Sequence, residues 1–231
     1  MRYLGGKQRI AKKIAEFINQ NPSLDYYEPF CGANNMVPYL TLGQSYHLSD
    51  MCEDLILLHQ FVQNGEELPT TISKEDYDVY KASETPSAIR GFVGFGCSFS
   101  GKWFGGYAKD GTGRNYALNA RNSILKKWNL CANKNITFSV ADYRAINPDN
   151  SIIYNDPPYV GTTGYDYNKQ FNHEEFWDWV REVSKNNIVL TSEYTAPEDF
   201  EVVLEIETKT DMRNKEQKQE PRIERLFRYK G

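Results

Sequence analysis

Cysteine is scarce and scattered. The four residues Cys31, Cys52, Cys97 and Cys131 form no CxxC pair, and only three histidines accompany them. This composition suggests neither a zinc site nor a disulfide framework, so no metal is assigned. Long apolar runs are missing too: no stretch approaches the roughly 18 residues of a transmembrane helix. The start, Met1-Arg2-Tyr3-Leu4-Gly5-Gly6-Lys7, has no apolar signal-peptide core behind it, so a cytosolic chain without a membrane partner is expected. Internal repeats and low-complexity tracts are lacking. What remains is a globular composition, 40% apolar and 25% charged over 231 residues. That length suits one large α/β domain, or a core carrying one sizeable insertion.

The net charge of -4 hides a pattern. Residues 1–20 are basic, residues 50–84 acidic. Residues 90–145 carry nine Lys/Arg against two Asp, and residues 146–231 are acidic again. A basic middle in an acidic chain suggests one face that meets a polyanion; the bland alternative is a solvated surface.

Helix-like and strand-like segments alternate, which predicts an α/β sheet. Lys7 to Phe17 reads as an amphipathic helix, with Ile10, Ile14 and Phe17 on one face. Tyr26 to Glu28 reads as a strand, Asn34 to Leu42 as a crossover helix with Pro38 inside it, and Tyr46 to Ser49 as the next strand. Helical spacing returns over Cys52 to Val62 and Asn115 to Asn133. The Gly-rich stretch 101–113 reads as a hairpin or mobile loop. Strands follow at Ile136 to Val140, Ser151 to Asn155 and Asn187 to Ser192, with a helix over His173 to Ser184. Phe200 to Lys209 and Ile223 to Tyr229 then form an antiparallel pair joined by Thr210 to Pro221. The insertion falls at 64–134, leaving 1–63 and 135–231 as the main domain.

Three motifs sit where strands end, the place where open α/β sheets bind ligands. Glu28-Pro29-Phe30-Cys31-Gly32-Ala33-Asn34 leads a strand into a tight turn, where Gly32 lets backbone approach a ligand. Asp50 ends the second strand and can accept from ribose hydroxyls, or cap the helix that follows. Asn155-Asp156-Pro157-Pro158-Tyr159 is the most specific. Asp-Pro-Pro-Tyr occurs by chance in roughly one chain of this length per thousand. Its prolines remove donors and fix the backbone, beside a carboxylate and an aromatic face.

With these motifs in this order, the chain resembles the Dam-like DNA adenine methyltransferases, over most of its length. The resemblance implies a Rossmann-like methyltransferase sheet, mostly parallel with an antiparallel C-terminal strand pair, plus a small, mainly helical target-recognition insertion at 64–134. It implies S-adenosylmethionine as cofactor, without a metal. Tyr3 and Lys7 match the N-terminal cofactor motif, and Pro29, Phe30, Gly32 and Asn34 the methionine-binding turn. Asn34 stands where the family usually has a second glycine. Asp50 matches the ribose acceptor, Asp142 and Tyr143 the motif near the cofactor adenine, and Asp156 joins the cofactor site as well. Asp156, Pro157 and Tyr159 match the catalytic motif.

The implied reaction is methyl transfer to the exocyclic amino group of adenine in double-stranded DNA. The amino group is a poor nucleophile because its lone pair is delocalised. The Asp156 carboxylate and Pro157 carbonyl would accept its two hydrogens, and Tyr159 would stack on a base flipped from the duplex. In the basic stretch, Lys102, Arg114, Asn115, Arg121, Lys126 and Lys127 are the DNA-contact candidates, Arg114 as base reader. A monomer in solution is expected, with a dimer on DNA left open, in a bacterial or phage-infected cytoplasm. Two other readings stay open: a methyltransferase acting on RNA or cytosine, and a DNA-binding module that has lost catalysis. Intact Asp156, Pro157, Tyr159, Lys7 and Asp50 argue against the last.

Overall fold

Short strands with little hydrophobic alternation belong inside a sheet covered on both faces. That is where β2 (Tyr46–Asp50), β4 (Ser151–Asn155) and β5 (Ile188–Glu193) lie, almost every residue buried. The computed structural model describes residues 1, 3–41, 43, 45–160, 171–209 and 221–231. With β1 (Asp25–Glu28), β3 (Ile136–Val140), β6 (Phe200–Lys209) and β7 (Pro221–Tyr229) they form one seven-stranded sheet of order β3-β2-β1-β4-β5-β7-β6. The first five strands of that order are parallel; β7 is antiparallel to both neighbours. The fold is α/β and Rossmann-like, as expected. The connections Thr210 to Pro221 and Gly161 to Gln170 lie outside the described residues, apart from Pro221 at the start of β7.

Adjacent strand residues face opposite layers. Ile152, Tyr154 and Leu190 meet α1 (Ala11–Ile18), whose Ile14 and Ile18 are fully buried. Ile153 and Val189 meet Phe176, Val180 and Val183 of α6 (His173–Val183) on the other side. A third cluster joins α2 (Glu53–Gln63), α3 (Lys74–Ala82), α4 (Ala88–Gly91), the π-helical turn Phe92–Gly96 and α5 (Tyr116–Asn129). The bridge Ser98↔Tyr107 and the Phe99 N–H bond to the Gly106 carbonyl at 2.9 Å give the Gly-rich stretch a hairpin start.

The expected crossover helix over Asn34 to Leu42 is not there. Only a 3₁₀ turn, Val37–Tyr39, occupies the described part of it. Proline is tolerated only in the first turn of a helix, and Pro38 sits mid-segment. Asn34 is also left-handed, with φ 49°. Met36, Val37 and Leu40 nevertheless point into the core, so the apolar signal came from burial rather than helical period. The first helix starts at Ala11, after a turn closed by the Ile10 and Ala11 amides on the Lys7 carbonyl. Among the described residues no helix is long and apolar enough to cross a membrane.

Helix α4 docks against α2 through a close backbone approach. A Cβ on Gly91 would lie 2.3 Å from the Asp54 carbonyl oxygen. Gly91→Ala therefore has to push α4 off α2 and strain the Arg90–Asp54 ion pair beside it. We expect a destabilisation of about 1–3 kcal/mol, read in urea denaturation as a lower midpoint with an unchanged slope.

Candidate active site

The strand order reverses between β1 and β4, which are neighbours and parallel, while the chain leaves them toward opposite sides. That reversal opens a crevice at their carboxyl ends. The segments after β1, β2 and β4 end there, and each carries one of the three motifs. Glu193 of β5 pairs with Arg225 of β7, which brings Glu224 to the same edge.

The turn after β1 is held from several sides. Gly32 and Asn34 have φ 46° and 49°. A Cβ on Gly32 would come within 3.1 Å of the Tyr3 ring, so glycine is needed for close approach as well as for its φ. The Gly32 N–H donates to Asp50 Oδ2 at 3.0 Å, and the Cys52 N–H to Asp50 Oδ1 at 2.9 Å. Asp50 thus braces the turn and the start of α2 together. The Met51 amide bonds the carboxylate as well, which leaves one of its roughly four acceptor positions open to a ribose hydroxyl. Burial pushes the Asp50 carboxyl up, against the pull of the Cys52 and Gly32 amides. The Asn34 Oδ1 is buried without a hydrogen-bond partner, an acceptor that a bound ligand would satisfy. That orphan acceptor, the glycine cradle and the open acceptor position of Asp50 fit a polar cofactor such as S-adenosylmethionine.

Two further residues lock the turn from behind. His59 Nε2 lies 2.8 Å from the Gly32 carbonyl, with its ring stacked on Phe138. Lys127 Nζ donates to the Ala33 carbonyl and, at 3.0 Å, to Asn35 Oδ1. Burial lowers the Lys127 pKa to about 8. Lys127 is therefore no phosphate contact on an open face; its ammonium is spent inside, holding the turn.

The segment after β4 meets the N-terminal motif. Lys7 Nζ pairs with Asp156 Oδ1 at 2.7 Å, lies 4.0 Å from Glu224 Oε2, and stands 4.3 Å above the centre of the Tyr159 ring. Burial works against the Lys7 charge, yet the Asp156 and Glu224 carboxylates outweigh it and its pKa rises. For Asp156, burial pushes the carboxyl up while Lys7 pulls it back. Glu193 grips the loop that follows: its oxygens accept the Val160 N–H at 3.2 Å and the Tyr194 N–H at 2.7 Å. Burial pushes the Glu193 carboxyl up to about 7. Asn155 Oδ1 is a second buried acceptor without a partner. Pro29 and Pro157 are buried at the two strand ends.

The remaining candidates divide. Phe30 and Tyr143 meet at 5.5 Å between centroids and join Phe171 and Phe176 in one aromatic cluster, so Tyr143 is packed core. Asp142 lies beyond the end of β3, with Arg144 bound to both carboxylate oxygens at 2.8 and 2.7 Å. In the insertion, Lys102 and Lys126 are exposed, and Arg114 lies 3.8 Å from Asp110. Asn115 caps α5 by accepting the Leu118 N–H and donates to the Thr70 carbonyl, while Arg121 donates to the Leu68 carbonyl. Both have a structural task. Sequence reasoning missed Glu224, Glu193 and His59. Each reaches the site from a distant element, and no local pattern marks it.

Residues 3–86 match the family model described as D12 class N6 adenine-specific DNA methyltransferase. The family resemblance is borne out over these residues. The match takes in Tyr3, Lys7, the turn from Pro29 to Asn34 and Asp50, and it supports a methyltransferase that uses S-adenosylmethionine. No curated protein matches the chain. Among solved structures, the rRNA methyltransferase aviRa from Streptomyces viridochromogenes is 12% identical, with 96% of this chain and 84% of that one covered at a TM-score of 0.44. Magnesium protoporphyrin IX methyltransferase (ChlM) from Synechocystis PCC 6803, solved with bound SAM, is also 12% identical, covering 97% and 80% at a TM-score of 0.41. At these scores the fold assignment rests on the strand order itself.

The His59 bond has a pH consequence. Burial lowers its pKa from 6.5 to about 4, so the ring is neutral at pH 7 and donates its Nε2 proton to Gly32. The unfolded chain binds a proton below pH 6.5 that the folded one refuses until about pH 4. Stability is therefore present above that window and lost as pH falls through it, by about 2–3 kcal/mol. Urea denaturation between pH 7 and 4 should show this loss. A His59→Gln variant, which can still donate to Gly32, should lack that share of it.

Proposed function

We propose that the chain is a site-specific DNA methyltransferase that methylates the exocyclic amino group of adenine. The observation that carries the reading is the placement of Asp156. Its carboxylate is anchored by Lys7 at 2.7 Å, at the carboxyl end of β4, beside Pro157 and the Tyr159 ring. The description of the matching family points to the same acceptor.

In this reading Asp156 Oδ and the Pro157 carbonyl accept the two amino hydrogens of adenine. That draws the nitrogen toward a tetrahedral shape and frees its lone pair. Tyr159 fixes the plane of the base. Tyr3, Lys7, Pro29, Phe30, Gly32, Asn34 and Asp50 hold the cofactor, with Asp142 and Tyr143 toward its adenine end. S-adenosylmethionine, when bound, supplies an electrophilic methyl group. The protein contributes positioning and electrostatics, with no covalent step on its own side chains. Adenine inside a duplex is out of reach, so the base is flipped at a cost of a few kcal/mol.

Residues 1–63 and 135–231 form the cofactor-binding part of this proposal, and 64–134 the target-recognition insertion. Phe99 supports that role. It is 69% exposed, on a turn where Ser100 has φ 55°, and the exposed Lys102 follows. A bulky apolar ring held out on a strained turn beside a cation suits contact with a base stack and its phosphates. Lys126 adds a second exposed cation, and Arg114 remains the proposed base reader.

The test is transfer of labelled methyl from S-adenosylmethionine to plasmid DNA, single-stranded DNA and RNA, with modified bases mapped. Methylated adenine in duplex DNA is the expected product; label in RNA or cytosine alone overturns the reading. Asp156→Ala should cut the single-turnover rate by on the order of 100-fold or more, while duplex binding changes little. Arg114→Ala should cost about 1–3 kcal/mol on the preferred site and relax discrimination at one base pair. Equal weakening on every sequence would reassign it to a phosphate.

A further inference from the structure

Within the catalytic motif Tyr159 is bonded by Asp156, a carboxylate already paired with Lys7, and its hydroxyl has a second partner. That partner comes from a strand 65 residues further along: the Tyr159 hydroxyl donates to Glu224 Oε2 at 2.9 Å. Glu224 lies on β7, which enters the sheet antiparallel between β5 and β6. The same carboxylate oxygen is 4.0 Å from Lys7 Nζ. Lys7, Asp156 and Glu224 are only 8%, 18% and 15% exposed, so this cluster is shielded from bulk water.

Three contacts besides the Asp156 bond constrain the tyrosine ring. Lys7 covers one face at 4.3 Å, and Tyr194 meets it edge-on at 4.8 Å and 88°. Glu224 ties down the far end. A tyrosine ring is set by two torsions, χ1 and χ2. A hydroxyl bond at its tip is the longest lever available for fixing both. Packing against Lys7 and Tyr194 sets the tilt of the ring less sharply than a bond at its tip.

We propose that Glu224 is a positioning residue for methyl transfer: it fixes the plane of Tyr159 through the hydroxyl bond, so that the target base is held in line with the methyl group. This deepens the DNA-methyltransferase reading and rests on it. Glu224 acts here as a hydrogen-bond acceptor. Its charge is secondary, because Asp156 already pairs with Lys7 more closely.

The substitutions separate these roles. Glu224→Ala removes the acceptor and should lower kcat on plasmid DNA by on the order of 10- to 100-fold, the cost of a misplacement near 1 Å. KM for S-adenosylmethionine should change much less than kcat, since Glu224 reaches the cofactor residues only through Lys7 at 4.0 Å. Glu224→Gln keeps an amide oxygen for the hydroxyl and should restore most of kcat. Tyr159→Phe should reproduce the Glu224→Ala defect, and the double variant should be no slower than either single one. Full activity in Glu224→Ala overturns the proposal. So does a Glu224→Gln variant as slow as Glu224→Ala, or a double variant whose defects multiply.

The contact is also read without activity. In urea denaturation, the Glu224→Ala and Tyr159→Phe changes should be non-additive by about fivefold or more in the folding equilibrium constant. Additive effects mean the bond is absent and the proposal fails. A wild-type protein that leaves DNA unmethylated sinks the DNA reading instead. The same kcat comparison is then made with RNA as acceptor, where an unchanged Glu224→Ala rate again overturns the positioning role.

Discussion

A lysine ammonium taken out of water costs several kcal/mol unless its partners replace the lost hydration. Lys7 is in that position, and the site is built around meeting its demand. Asp156, Glu224 and the face of Tyr159 surround it from β4, β7 and the loop between. The ion thereby gathers the N-terminal segment and two separated strands at one sheet edge. Removing the Asp156 carboxylate leaves a buried charge poorly paired, which costs more than the pair itself contributes. The N-terminal segment extends the tie to the insertion: the Leu4 N–H bonds the Gly101 carbonyl at 3.2 Å, and Tyr3 packs on Phe95 at 5.0 Å. The turn carrying Phe99 and Lys102 is thus one hydrogen bond away from the segment that holds Asp156.

A second constraint acts on the other half of the crevice. Asp50, His59 and Lys127 each bind backbone of the turn after β1, from β2, α2 and α5 in turn. Asp50 can still meet a ligand as an acceptor through a spare carboxylate lone pair, without releasing the turn. The turn is preorganised, with Gly32 and Asn34 both held in the left-handed region. Preorganisation of this kind lowers the entropy lost on binding a flexible cofactor.

The strands were legible because burial on both faces leaves near-continuous apolar runs, as in Ile152-Ile153-Tyr154 and Ile188-Val189-Leu190. The motifs were legible because each ends a strand, where position adds to residue type. The segment from Met36 to Leu40 misled, since buried apolar residues in a loop imitate a helix face and only Pro38 argued otherwise. Lys127 misled for a related reason. Net charge counts a cation wherever it points, and this one points inward to the Ala33 carbonyl and the Asn35 side-chain amide. Glu224 and Glu193 were invisible because their roles arise from strand pairing across long separations, which no local pattern encodes.

The placement of β7 between β5 and β6, though it follows both in sequence, bears on how the protein is made. A nascent chain emerging from the ribosome folds from its N-terminal side, domain by domain. When β6 appears, Lys7, Asp156 and Tyr159 are already outside, yet β5 still has an open edge and β6 has no sheet to join. Only the arrival of residues 221–229 closes the sheet and brings Glu224 to the tyrosine. Synthesis therefore delivers Lys7, Asp156 and Tyr159 early and their final alignment late, so a product truncated before β7 carries the motifs without the carboxylate that bonds the tyrosine hydroxyl.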